Sequence, residues 1–316
     1  MRFLKLVPDN TNFDFVRHRF IAFAVSGGLL VVSILSLMIL GLNLGIDFKG
    51  GILIEVRAAQ AVDLAPLRAQ VEGLNLGEVE LQHFGDERSI LIRVQRQEGG
   101  EAAQNKAIQA VRRVLGDKYE YRRVELVGPK VGSELLRDGM IATALAVLGI
   151  GLYVGFRFEW HFAVSALFAT AHDVVTTMGL YSVLQLEFNL TSVAAVLTLA
   201  GYSVNDTVVI FDRIREVLRK RKAAALGDII NESVNRTLSR TVLTGGTTLL
   251  AIVPLLLFGG TTLFNFSVAM TWGILVGTYS SVFVAACLLL YMPPVHRIRA
   301  TKTEEPPPGR EPAKTE

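Results

Sequence analysis

Hydrophobic positions along the chain fall into two kinds of pattern. Long runs with almost no charge lie at about 20–42, 137–156, 160–182, 189–211, 241–259 and 265–292. Each approaches or exceeds the roughly 20 helical residues that cross a bilayer, so the pattern predicts a multi-pass α-helical membrane protein with six transmembrane helices. The first run, FIAFAVSGGLLVVSILSLMILGL, is longer than a signal-peptide core and leads into NLGIDFKGG without a small-residue cleavage site, so it is read as a retained anchor. From 43 to 134 the pattern shortens. ILIEV, EVELQHF, SILIRVQ and YEYRRVELV are strand-like, whereas DLAPLRAQVEGL and EAAQNKAIQAVRRVL have helical spacing. The order β-α-β-β-α-β predicts a small α+β ferredoxin-like domain between the first and second spans.

Composition agrees with a membrane chain: of 316 residues, 51% are hydrophobic and only 19% charged, which excludes an ordinary soluble domain. Basic residues set the expected orientation, because short connections rich in Lys and Arg stay on the cytoplasmic side. Arg2, Lys5, Arg17 and Arg19 precede the first span, and Arg157 separates the second and third. Arg213, Arg215, Arg219, Lys220, Arg221 and Lys222 follow the fourth; Arg297, Arg299 and Lys302 follow the sixth. The connections LQLEFN and FGGTTLFN contain neither Lys nor Arg. A cytoplasmic N-terminus at 1–19, a cytoplasmic loop at 212–238 and a disordered cytoplasmic tail at 293–316 follow, with 43–134 on the outer, periplasmic side. The net charge of +3 is accounted for by these flanks, so no nucleic-acid surface is expected.

No nucleophile, metal or cofactor constellation is present in the sequence pattern, so neither an enzyme nor a cofactor is expected. His83 stands alone on a strand-like segment and reads as a surface or edge residue. Cys287 is the single cysteine, excludes an intrachain disulfide, and reads as a small packing residue.

Polar groups inside the apolar runs carry the functional signal, since ionisable residues in a bilayer face the bundle interior and mark ion or proton pathways. In the fourth run Thr198, Tyr202, Asn205 and Asp206 recur at helical spacing. Asp206 lies six residues before Asp212, about 9 Å inside the boundary at 1.5 Å per residue, too deep for an interfacial charge. In the third run Thr170, His172, Asp173, Thr176 and Thr177 form a second polar stripe, open to a packing or a functional reading. At the start of the fifth run Arg236, Arg240 and Thr244 lie one turn apart. Arg240 either reaches inward as a counter-charge or snorkels to headgroups; Asp206 either handles protons or makes an interhelical hydrogen bond. Burial disfavours a charged carboxylate and a nearby arginine favours it, so an arginine that moved would switch proton affinity. Glycines in GGTT at 245–248 and 259–262 either permit motion or allow close packing.

Several motifs together resemble the SecD/SecF family of bacterial protein-export membrane proteins, relatives of the resistance-nodulation-division transporters. They are GIDFKGG at 45–51, VGPKVGSEL at 127–135, YVGFRFEW at 153–160, AHD at 171–173, GYSVNDTVVIFDRIRE at 201–216 and SRTVLTGGTTL at 239–249. One departure is Lys49, where the family more often has threonine. The resemblance implies an inner-membrane complex with a SecD subunit, associated with the SecYEG channel and often YajC. It implies use of the proton-motive force to move a preprotein outward. Carried over by motif, Asp206 is the family's membrane aspartate, Arg240 its essential arginine and Thr244 the neighbouring threonine; a further aspartate comes from SecD. Tyr202, Asn205, His172 and Asp173 remain supporting candidates. Two other readings stay open: a proton-coupled exporter of small amphiphiles, and a non-conducting structural partner of SecD.

Overall fold

The computed structural model describes residues 11–293 except 78, 85, 128 and 222. Arg2, Lys5, Lys222 and the expected tail from 294 onward therefore lie outside the described residues. The chain opens with α1 (Arg19–Ile39) and a single turn, α2 (Ile46–Lys49). The α+β domain, expected on the outer side, follows as β1 (Gly51–Ala58), α3 (Leu64–Glu72), β2 (Val79–Phe84), β3 (Asp86–Gln95), α4 (Gly100–Leu115) and β4 (Tyr119–Val127). Five further elements complete the membrane part: α5 (Pro129–Arg157), α6 (Trp160–Val183), α7 (Leu190–Lys220), α8 (Leu226–Phe258) and α9 (Gly260–Tyr279). Beyond α9 the last span runs on through a π-helical segment, Ser280–Ala285, into α10 (Ala286–Leu288).

The sheet has the order β2-β3-β1-β4 with every neighbouring pair antiparallel, the ferredoxin-like arrangement the alternation predicts. Ile52, Ile54 and Val56 of β1 point to the helix side, where they pack with Ile90, Ile92 and Val94 of β3 and with Leu67, Val71, Ala107, Val111 and Leu115 of α3 and α4. Asp63 starts α3 by accepting the Ala65 amide at 3.0 Å. ILIEV does not alternate cleanly because the other sheet face is also covered: Leu53 and Leu91 are buried there. His83 is half-buried on β2, an edge strand.

Among the described residues six helices are long and apolar enough to cross a membrane. With no water to take up backbone groups, helical spans satisfy them internally, and the large apolar side chains exposed on α1, α5 and α8 are the surfaces such spans present to lipid or partners. Packing between spans uses small residues. On α1 the buried positions are Ala22, Ser26, Ser33 and Ser36, and Ser36 and Ser182 hydroxyls meet at 2.8 Å. Gly179 of α6 lies so close to Ser33 that a Cβ there would overlap it.

The expected loop at 212–238 is mostly helix. α7 continues to Lys220 and α8 begins at Leu226, because Ile214, Val217, Ile229, Ile230 and Val234 join Phe15 and Phe162 in a core at the Arg157 end of the bundle. Hydropathy marks the length of apolar contact, not the length of the helix. Asn231 and Asn235 of α8 hold the segment before α1, accepting from the amides of Val16 and Phe13 at 3.0 Å each.

Candidate functional site

Asp206 is carried by α7 and faces Thr244 of α8. The helix starts on a capping box, Asn189 with Ser192, and runs unbroken past the site. Near its other end Asp212 pairs with Arg157 at 3.6 Å, an exposed contact six residues beyond Asp206. Asp206 itself is buried, with 3% of its surface accessible. Its Oδ1 lies 3.3 Å from Thr244 Oγ1 of α8, and its Oδ2 is buried with no hydrogen-bond partner among the described residues.

The hydroxyl of Thr244 also points at the carbonyls of Arg240 and Thr241 on its own helix, at 2.9 and 3.0 Å. One hydroxyl carries one hydrogen and two lone pairs. An ionised Asp206 therefore draws that hydrogen away from the helix, whereas a protonated Asp206 donates to Thr244 Oγ1 while the threonine keeps its backbone bond. The same contact serves both protonation states.

Arg240 is exposed and makes no ion pair among the described residues. Arg236 is paired with Glu232 at 2.7 Å. The structure thus brings Asp206 and Thr244 together and leaves the Arg240 guanidinium outside the contact, one helical turn from Thr244. Of the other residues on the polar stripe of α7, Tyr202 is half-buried, and Thr198 and Asn205 are exposed. Gly245, buried on α8, faces the Tyr202 hydroxyl: a Cβ there would stand 3.7 Å from Tyr202 Oη and 3.3 Å from Thr278 Oγ1. Thr241 Oγ1, one turn from Gly245, is buried without a partner among the described residues.

His172 and Asp173 form a separate cluster deeper in the bundle. His172 Nδ1 lies 2.9 Å from Asp173 Oδ1, and Asp173 Oδ2 accepts from Ser203 Oγ of α7 at 2.5 Å and from Ser280 Oγ at 2.7 Å. Ser281 and Thr207 hydroxyls meet at 2.8 Å beside them. Ser280 and Ser281 open the π-helical segment, a one-residue irregularity common at functional positions. Thr176 and Thr177 take no part in the cluster and donate to the Asp173 carbonyl within α6. Ser203, Thr207, Ser280 and Ser281 are missing from the sequence reading; their only signal is hydroxyls recurring inside apolar runs.

Comparison with known proteins identifies the family. A model of the C-terminal region of SecD/SecF protein export membrane proteins matches residues 107–294. The chain belongs to the SecD/SecF family. The SecD/SecF GG motif model matches residues 35–62, across GIDFKGG. The protein translocase subunit SecF of Rickettsia prowazekii is 46% identical over 292 residues, covering 90% of this chain and 93% of the relative. That of Rhodobacter capsulatus is 44% identical over 305 residues, covering 92% and 91%. Among solved structures, SecDF of Thermus thermophilus, a translocon-associated membrane protein, superposes with a TM-score of 0.79 at 34% identity. The match covers 90% of this chain but 39% of that longer one. The relatives of this SecD/SecF member are thus named for transport and not for catalysis.

Proposed function

We propose that this SecD/SecF chain is the SecF-type half of a proton-driven export complex in the bacterial inner membrane. It pairs with a SecD subunit, works with the SecYEG channel and YajC, and promotes outward movement of a preprotein. Both termini lie in the cytoplasm and the ferredoxin-like domain in the periplasm, as the distribution of Lys and Arg around the spans supports.

The observation that carries this reading is Asp206: a buried carboxylate with one oxygen on Thr244 and the other unpartnered. A lone charge so placed is costly, and neutralisation by a proton removes that cost. Arg240, without an ion pair among the described residues and one turn from Thr244, supplies the alternative. An arginine stem that swings inward stabilises the ionised carboxylate; one that swings outward leaves a carboxyl that holds its proton. Alternating between these states while the site opens first to one side and then the other converts proton flow into movement of α7 against α8. Each charge crossing the field is worth about 2.3 kcal/mol per 100 mV, enough to bias such a motion. A SecD aspartate completes the path.

The test compares Asp206→Asn and Arg240→Ala in cells lacking the native gene, with SecD association and abundance measured alongside secretion. The reading requires assembled, normally abundant complexes that fail to accelerate secretion. Normal secretion by both variants would leave this chain a scaffold for SecD.

A further inference from the structure

GIDFKGG plays no part in the proton site, yet it lies where the outer domain meets the start of α7. Gly45 N donates to Phe188 O and Phe188 N donates to Asn43 O, both at 2.8 Å, so the strap and the α6–α7 connection pair like two short strands. Asp47 Oδ2 accepts the amide of Leu190, the first residue of α7, at 3.0 Å. That amide is one of the donors a helix start leaves open. Gly45 gives room for the Glu187 side chain, whose Oε1 would lie 2.5 Å from a Cβ at that position.

Beyond the strap, Gly50 at φ 75° turns the chain into β1, the strand paired on both sides within the sheet. The same junction is held a second time from the sheet. Arg93 Nη1 of β3 lies 2.6 Å from Glu187 Oε2 and 3.2 Å from Glu80 Oε2. Arg93 and Glu187 side chains are each only 16% exposed. Asn265 of α9 fixes the Glu187 carbonyl at 3.1 Å. Beside a cleft of about 450 Å³ between sheet and membrane helices, Leu44 and Phe48 of the strap pack with Tyr181, Phe188, Leu199 and Met270, so the directional links sit on an apolar footing.

We infer that the GIDFKGG strap and the Arg93–Glu187 pair are a rigid coupling that makes displacement of the outer domain and displacement of α7 one motion, with Asp47, Glu187 and Arg93 as positioning residues. Asp206 is sixteen residues from Leu190, about 24 Å along one continuous helix. A tilt imposed at one end of α7 is therefore delivered to the other. The coupling stands on these contacts alone; its use in transport rests on the proton-driven reading above.

The experiment uses the assembled complex in a cysteine-free background, with Cys287→Ser in this chain. Spin labels at Lys118→Cys on the outer domain and Leu257→Cys at the end of α8 report the distance between the two parts. The unmodified junction gives one narrow distance. Arg93→Met and Asp47→Ala lose that narrow distance and give a broad distribution, while Asp47→Asn, which keeps an acceptor oxygen for Leu190 N, retains it. If Arg93→Met and Asp47→Ala fold and stay as narrow as the parent, the coupling is wrong. A residue serving only folding would lower the yield and leave the folded fraction narrow, which counts against the coupling equally. In vesicles, an imposed proton gradient should shift the parent distance and leave Asp206→Asn unmoved. A parent that does not shift sinks the proton-driven reading and leaves the resting-state result on the coupling intact.

Discussion

Replacing Asp173 by alanine removes a carboxylate that touches three elements at once. Ser280 keeps its bond to the Gly277 carbonyl at 3.1 Å, so it is not orphaned. Ser203 Oγ and His172 Nδ1 have no other partner among the described residues and are left unsatisfied, His172 with both ring nitrogens bare, since Nε2 is already unpartnered there. A buried polar group left without its bond costs about 1–3 kcal/mol, and interhelical hydrogen bonds in bilayers average about 0.6 kcal/mol with maxima near 1.7. Two orphaned groups, offset by release of a buried carboxylate, give a net loss of about 1–3 kcal/mol. Steric trapping in bicelles measures that unfolding free energy directly. A double-mutant cycle with Ser203→Ala should return a coupling of about 0.6–1.7 kcal/mol. An Asp173→Ala variant within about 0.5 kcal/mol of the parent would refute the idea that this cluster pins α6, α7 and the π-helical segment together.

Gly179→Val drives a side chain into Ser33 and should displace α1 from α6, so that a disulfide formed readily between Ser36→Cys and Ser182→Cys in the parent forms slowly or not at all. Glu187 is held above the ordinary glutamate range chiefly by burial, which Arg93 opposes and Glu80 and Asp47 reinforce. Arg93→Met should therefore raise its titration further and Glu80→Gln lower it, read from the carboxyl band in infrared titrations. Because the folded chain holds this proton more tightly than the unfolded one, the contribution to stability is largest at low pH and declines as pH rises through the raised value. Thr244→Ser keeps a hydroxyl for Asp206 and should sustain secretion, whereas Thr244→Val, of nearly the same volume, should impair it without lowering abundance.

The repeating patterns were the legible part of the fold. Six apolar runs and one β-α-β-β-α-β alternation are each set by local periodicity, and each became the element its period demands. Boundaries were less legible where an amphipathic helix continues out of the apolar region. α8 starts fifteen residues before the apolar run at 241, since its first turns are buried by Phe15 and Ile214, contacts far apart in sequence. Asp206 stood out because a carboxylate interrupts a hydrophobic run, whereas Thr244 was marked out by the motif resemblance. Their proximity depends on the packing of α7 against α8, which no spacing encodes. Ser203 and Ser280 carry no such signal, as serine is an ordinary small residue between packed helices. Arg93 and Glu187, 94 residues apart, meet only once the sheet is folded and seated.

The most direct test of proton use is secretion in vesicles holding equal amounts of complex with Asp206 or Asp206→Asn, each with and without a proton-motive force. The account predicts that the force accelerates completion of translocation only where Asp206 is present, with the two preparations equal when the force is collapsed. Equal acceleration in both would contradict it.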